Sequence, residues 1–310
     1  MKEQPLASIL INNYNYETFL SVSIDSALAQ SYQALEVVVV DDGSKDSSRQ
    51  VIERYGDRIV PVLKTNGGQA SAFNAGFAAC KGDVVFFLDA DDYFQPDKVE
   101  KVMESLGEHP TAQWFFHELE DVDRACNTLT VDRSKLTGPD AVQSFQPVIQ
   151  QGGVLPYMPA TSGLVFRRAL LSKILPMPEV FRISADSYLR LAALTLGAGI
   201  TSAKPLATHR IHGSNLYEFR TDVDALEAKV DIKSAYYLAQ NFPKTRAFCN
   251  RLFFHALGKL MALEGSKATW MFADVQQYVQ SLSRLEWIQS FPRLGINFLK
   301  TRVQAASVQD

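Results

Sequence analysis

The chain has 310 residues, of which 46% are apolar and 21% charged, and its formal net charge is −3. That length allows a sizeable core and about two domains, the composition is that of an ordinary globular protein, and the weakly acidic balance excludes the basic footprint of a nucleic-acid binder. Cys80, Cys126 and Cys249 are scattered and form no CxxC pair, so neither a disulfide framework nor a zinc site is expected, and a reduced cytoplasmic compartment fits.

Met1-Lys2-Glu3-Gln4-Pro5 reads as lacking a signal peptide. No apolar run approaches the roughly 20 residues needed to cross a bilayer, so no span is expected.

The first third alternates strand and helix signals. Ala7 to Asn12 reads as a strand, and Glu17 to Gln30 has apolar residues at helical spacing. Leu35 to Val40 is a β-branched run suited to a central strand. Ser44-Lys45-Asp46 offers a cap for a helix over Ser47 to Tyr55. Arg58 to Leu63 reads as a third strand, Gln69 to Cys80 as an Ala-rich helix and Asp83 to Leu88 as a fourth strand. This alternation predicts right-handed crossovers and a mainly parallel α/β sheet.

In such sheets ligands sit beyond the carboxyl ends of the strands. Four strand ends here carry turn-forming or charged groups: Asn12-Asn13-Tyr14-Asn15, Asp41-Asp42-Gly43-Ser44, Thr65-Asn66-Gly67-Gly68-Gln69 and Asp89-Ala90-Asp91-Asp92. Each alone is an ordinary turn; together they mark one rim. Asp89 and Asp91 are two apart, so in extended chain they point to the same side. Carboxylates this crowded repel one another, and a hard cation such as Mg²⁺ or Mn²⁺ relieves them. The solvated acidic turn is the competing reading. Backbone N–H groups around Gly67 and Gly68 are placed to approach a phosphate. No G-x-G-x-x-G and no Walker loop occurs.

Farther on, Gln113 to Leu119 reads as a strand, and Ser184 to Leu196 as a helix with Asp186 in its first turn. Ser184 is the expected cap. Ile200-Thr201 and Thr208 to His212 read as two further extended pieces. From Asp222 the chain reads as helical, over 222–241, 243–264, 267–282 and 285–303.

These strings resemble glycosyltransferase family 2, whose nucleotide-sugar-binding fold is called GT-A. The matching residues are Ser8 to Asn15, Ile24 to Tyr32, Leu35 to Ser44, Asn66-Gly67-Gly68, Asn74-Ala75-Gly76, Lys81-Gly82-Asp83, Asp89-Ala90-Asp91 and Pro96-Asp97. The resemblance is dense over the first hundred or so residues and thin afterwards. It implies a GT-A-type, Rossmann-like sheet flanked by helices, with a C-terminal helical subdomain. Residues 1–110 would bind the nucleotide sugar, 111–221 would bind the acceptor and supply the base, and 222–310 would form the helical part.

The resemblance also implies roles. Asn12, Tyr14 and Asp42 would line the nucleobase pocket, with Asp42 accepting a base N–H. Asn66, Gly68 and Asn74 would belong to the donor site. Asp89 would address the ribose or the metal, and Asp91 would bind Mn²⁺ or Mg²⁺, with Asp92 assisting. Asp186 would be the base that takes the proton of the acceptor hydroxyl, although Ala185 stands where the family has Glu. His212 is favoured over His209 as the histidine that completes the metal site, and Ser162 would lie near the donor sugar. The implied reaction is inverting transfer from a nucleoside-diphosphate sugar, UDP-linked, to a hydroxyl of a saccharide or lipid-linked glycan in surface polysaccharide assembly.

The rivals are a sugar-1-phosphate nucleotidyltransferase, which lacks its Gly-rich loop here, and a phosphatase, which would need Thr where Tyr93 stands. A non-catalytic nucleotide-sugar or partner binder is the third, supported by Ala185. The helical tail reads as core or homodimer packing ahead of peripheral contact with the inner face of a membrane. For the membrane reading, the basic amphipathic segment 292–302 is the signal.

Overall fold

The structure is a computed structural model that describes residues 4–130, 136, 140–215, 217 and 220–307. It divides into two compact units, Met1–Ser144 with Pro156–Asn215 and Phe145–Leu155 with Leu216–Asp310.

The first unit opens with β1 (Ala7–Asn13), α1 (Glu17–Leu28), β2 (Leu35–Asp42), α2 (Ser48–Glu53), β3 (Val60–Lys64), α3 (Gln69–Ala79) and β4 (Val84–Asp89). The four strands pair in parallel in the order β3-β2-β1-β4. The β-branched run of β2 lies inside the sheet and is buried on both faces from Val37 onward. At the edge, β3 is largely exposed and carries Pro61, whose missing N–H an edge strand tolerates. Burial of Phe86, Leu88, Ile9 and Ile11 builds the core between sheet and helices, at about 1.5–3 kcal/mol for each large side chain.

Beyond β4 the sheet is mixed. It continues with β5 (Tyr93–Phe94), α4 (Lys98–Glu108), β6 (Trp114–Val122) and β7 (Ala141–Gln143). After α5 (Gln146–Gln150), which belongs to the second unit, come β8 (Leu164–Arg167), α6 (Arg168–Leu171), α7 (Ala185–Leu196) and β9 (Gly199–Arg210). β8 is antiparallel to both β4 and β6, while β6 and β9 run parallel. The two extended pieces expected at 200–201 and 208–212 are one strand, β9. Its register against β6 shifts between His117 and Leu119, and Pro205 lies in the stretch of β9 left unpaired there.

The sequence reading passes over α4. Its inner face is Lys98, Val99, Val102 and Leu106, and a lysine at the first buried position hides the apolar periodicity.

The second unit is helical: α5, α8 (Val223–Asn241), α9 (Arg246–Glu264), α10 (Ser266–Trp270), α11 (Ala273–Gln280) and α12 (Arg284–Ser307). The single helix expected over 267–282 is broken at Met271-Phe272 into α10 and α11. α9 packs against both α8 and α12. Gly258 makes the α9–α12 approach close, because a Cβ there would meet the Leu294 carbonyl oxygen at 2.7 Å. Phe248, Phe253, Phe254 and Tyr278 fill this core. The Phe253 and Tyr278 rings stack at 4.1 Å, and the Tyr278 hydroxyl donates to Asn250 Oδ1. Among the described residues no helix is long and apolar enough to cross a membrane.

Candidate active site

Parallel pairing brings the carboxyl ends of β1, β2, β3 and β4 to one rim of the first unit. Asp89 is the last residue of β4, and the chain turns immediately after it, Asp92 N–H donating to the Asp89 carbonyl at 3.0 Å. Asp89 and Asp91 are therefore gathered by a turn, not by the extended chain that their spacing suggested.

The three carboxylates are held differently. Asp89 Oδ1 accepts from Asn12 Nδ2 at 2.8 Å. Asp91 Oδ2 accepts from His212 Nε2 at 3.1 Å and Asn215 Nδ2 at 3.2 Å. Asp92 spends both oxygens internally, on Arg210 N–H at 2.9 Å and on the Ser162 hydroxyl at 2.6 Å. Among the described residues, Asp89 Oδ2 and Asp91 Oδ1 take no hydrogen bond. Burial and the nearby charges of Asp91 and Asp92 push Asp89 well above the usual carboxylate range, and Asp186 adds to that push. Burial likewise lifts Asp92 to about 6, partly offset by His209. Uncompensated negative charge is what a cation would relieve.

Two unspent carboxylate oxygens suit a hard divalent ion. Among the described residues no three His, Cys, Asp or Glu side chains converge as a metal cage. Two carboxylates alone would leave most of a divalent ion's shell to be filled by phosphate oxygens and water. Among the described residues, Asn12 Oδ1 and Asn13 Oδ1, buried at the end of β1, have no hydrogen-bond partner. Asp92 is the least accessible of the three, 2% exposed with each oxygen already accepting one hydrogen bond.

His212 is 4% exposed, its ring centroid 4.2 Å from that of Phe19 at a tilt of 31° and edge-on to Tyr16. The Ser214 hydroxyl and N–H lie 3.0 and 3.3 Å from His212 Nδ1, and because an ionised Asp91 can only accept, Nε2 is the donor in the contact between them. In this arrangement His212 positions the carboxylate, and its Nε2 is the nitrogen that a cation beside Asp91 would meet. His209 pairs with Asp121, its Nδ1 2.9 Å from Asp121 Oδ1, while its charge is felt at Asp92.

Ser162 is corrected. It is fully buried, its hydroxyl accepting Asp89 N–H and donating to Asp92. A group with no exposed surface cannot touch a sugar; it braces the acidic turn from beneath. Directly below, Lys98 Nζ donates to the Ser162 carbonyl at 2.7 Å and lies 3.4 Å from the Phe94 ring centroid. Burial pushes this amine well below its usual range.

The Gly67-Gly68 loop is corrected as well. Gly67 N–H and Gly68 N–H donate to the two oxygens of Asp42, and Gln69 N–H and Ala70 N–H donate to the carbonyls of Arg182 and Phe181. These four groups are already used, so they do not form a phosphate cradle. Asp42 also receives Lys64 Nζ at 2.7 Å. It organises the loop, in addition to the nucleobase role implied for it.

Asn66 Oδ1 accepts from Arg182 Nη2. Asn74 spends both ends of its amide on the Met177 main chain, at 2.9 and 2.8 Å. It ties α3 to the segment before α7. Tyr14 lies half-buried in the bend after β1.

Asp186 sits in the first turn of α7, 8% exposed, with Oδ2 3.6 Å from Arg190 Nη2. Arg190 is anchored on the carbonyls of Met158 and Pro159. Ser184 is not the cap that the sequence suggested. It adopts φ 56°, ψ 37° without a side-chain cap bond, and Ala185 N–H is instead satisfied by Gln69 Oε1 at 2.8 Å. A left-handed non-glycine residue beside the candidate base is local strain of a kind that collects at functional sites.

Sequence reasoning missed Lys98, Gln69, Arg210 and Asn215. Arg210 and Asn215 stand beside His209 and His212, whose residue type carries the stronger signal for a metal site. Lys98 follows Pro96-Asp97 directly. Its burial could not be read from its type, since lysine is rarely buried.

Residues 8–136 match the model of Glycosyl transferase family 2. A protein of Nostoc sp. named as an uncharacterized glycosyltransferase is 42% identical over 213 residues, covering 67% of this chain and 65% of that protein. One of Haemophilus influenzae, similarly named, is 43% identical over 101 residues, covering 31% of this chain and 40% of that protein. The chain thus matches less than two thirds of the length of these relatives. Among solved structures, S. aureus TarS in complex with UDP-GlcNAc superposes with a TM-score of 0.70 at 17% identity, over 97% of this chain and 92% of that chain. That likeness shows the fold, a GT-A-like α/β sheet with C-terminal helices. Residues 8–136 of this chain are a glycosyltransferase family 2 domain.

Proposed function

We propose that the chain is a metal-dependent inverting glycosyltransferase. It moves a sugar from a nucleoside-diphosphate sugar to a hydroxyl of a saccharide or lipid-linked glycan, in the assembly of a cell-surface polysaccharide. The observation that carries this reading is the pair of unspent oxygens on Asp89 and Asp91, set close enough to Asp186 for its charge to be felt at Asp89. A uridine donor is favoured by the fold's likeness to TarS, whose structure holds UDP-GlcNAc.

Asp89 and Asp91 would hold Mn²⁺ or Mg²⁺, which when bound neutralises charge growing on the departing diphosphate. His212 and Asn215 keep Asp91 in place, and Ser162 with Lys98 keeps the turn beneath it rigid. Asn12, Tyr14 and Asp42 face the nucleobase end. Asp186 takes the proton of the acceptor hydroxyl as its oxygen attacks the anomeric carbon. The bond from that carbon to the diphosphate oxygen breaks, and the nucleoside diphosphate leaves with the electron pair.

The test is donor binding and turnover with UDP, GDP, dTDP and CMP sugars, with and without Mn²⁺. One nucleotide class should stabilise the wild type only with metal, and Asp91→Ala should lose the response. Asp186→Asn should keep donor binding and lose about 10²–10⁴-fold in kcat. If no nucleotide binds under any condition, the donor-site assignment fails. If binding is intact and no acceptor is glycosylated, the non-catalytic binder stands.

A further inference from the structure

The last helix of the second unit is apolar on two opposite sides. Its inner side packs on α9. Leu294 is 9% exposed, and the Trp287 ring lies edge-on to Phe254 with centroids 5.2 Å apart. Its outer side carries Leu285, Ile288, Ile296, Leu299 and Val303, which are 53 to 72% exposed. At 100° per residue these five fall in one narrow stripe, opposite Leu294. From Leu285 to Val303 the stripe is about 27 Å long at the helical rise.

Isolated exposed leucines are ordinary, but a continuous exposed stripe marks an interaction surface. On a surface helix the side away from the core is normally the polar one. Here the polar groups are displaced to the flanks. Arg293 and Lys300 border the stripe on one side and Arg302 on the other, all exposed. From Trp287 to Ser307 there is no acidic residue.

The geometry points to α12 as a membrane-surface helix that binds anionic lipid. The apolar stripe enters the boundary between headgroups and acyl chains, and the three cations meet lipid phosphates. A second copy of this chain fits the same stripe poorly. A two-fold contact would set Arg293, Lys300 and Arg302 against the same cations of the other copy, and the one acidic residue of the span, Glu286, is already paired with Arg246. This inference is independent of the transfer reading, since it uses residues of the helical unit alone.

The experiment is co-sedimentation of the full chain with phosphatidylcholine vesicles, with and without phosphatidylglycerol. The wild type should bind the anionic vesicles, release with added salt and ignore the neutral ones. Ile288→Glu with Leu299→Glu should lower partitioning at least about tenfold by placing charge in the acyl boundary. Arg293→Gln with Lys300→Gln should lower it several-fold. Both variants should keep the wild-type melting curve and nucleotide response, because these side chains face solvent. Leu299→Ser, a milder change, should weaken binding by an intermediate factor and covers a loss of folding in the double glutamate variant. Equal binding to both vesicle types, or none, overturns the inference. So does a concentration-dependent dimer in solution that Ile288→Glu abolishes. Vesicle binding with no nucleotide response would sink the transfer reading and leave this one standing.

Discussion

Asp91 shows how a single side chain is prepared for a ligand. His212 and Asn215 both donate to its Oδ2, so the carboxylate is oriented before any ion arrives. Partners of this kind, one step removed from a metal, typically set affinity by 10–100-fold. His212→Ala should accordingly raise the Mn²⁺ concentration for half-maximal activity by about 10–100-fold with smaller change at saturating metal. An unchanged Mn²⁺ titration would show that His212 does not hold Asp91 for a cation. Lys98 acts one layer deeper. It is fully buried, and its ammonium or amine is the donor to the Ser162 carbonyl. Lys98→Met keeps the apolar stem but removes that donor, and should destabilise the protein by about 1–3 kcal/mol in chemical denaturation. A denaturation midpoint equal to wild type would mean that the carbonyl finds another partner.

At the scale of elements, the loop before α3 couples two distant stretches of chain. Its four N–H groups are divided between Asp42 and the carbonyls at 181–182, and Gln69 continues the link to the first N–H of α7. Gly68 permits this arrangement. Its φ of 89° and ψ of 174° lie in a region open essentially to glycine alone, and a Cβ there would meet Arg182 Cα at 2.6 Å. Gly68→Ala should cost about 1–3 kcal/mol in backbone strain, with further loss from displacing the 181–182 segment that leads into α7. Thermal melting reads the first effect and kcat the second; a variant with wild-type values in both would refute the coupling. Helices α1, α3 and α7 and strands β1 to β4 were legible in the sequence because periodicity and turn residues are local signals. Helix α4 was not, since its first buried residue is a lysine. The join of two extended pieces into β9 depends on pairing with β6, which no local pattern records.

At the scale of the whole molecule, the helical unit contains its own pH-sensitive link. Arg246 Nε donates to Glu286 Oε1 at 2.6 Å, and Asn250 donates to the same oxygen. The Arg246 hydrogen bond is the main cause that lowers Glu286 from its ordinary 4.5 to about 2. A carboxylate whose folded pKa is depressed stabilises the fold fully above its unfolded value and loses that contribution as pH falls through the folded one. The melting-temperature gap between wild type and Glu286→Gln should therefore be constant above about pH 5, narrow below it and close near pH 2. A gap that persists at pH 2 would show that the link does not depend on charge. The tail's aromatic residues, ambiguous in sequence between core and surface, are sorted by the packing: Phe248, Phe253 and Phe254 point inward, while Phe291 is 57% exposed.

The sequence by itself determined the alternation of strands and helices, the carboxyl-end rim, the acidic cluster at the end of β4 and the family of residues 8–136. Each of these is written in short-range pattern: β-branched runs, helical spacing, turn residues and motifs in a fixed order. Only the tertiary structure decided which of those polar groups remain available. Ser162, Asp92 and the Gly67-Gly68 loop look like ligand contacts in sequence, yet each is engaged by partners 25 to 118 positions away. Likewise, composition shows that α12 is apolar and basic, but which of its sides faces solvent follows from where α9 packs. A local pattern records what a residue can bond; the folded chain alone settles what it has already bonded.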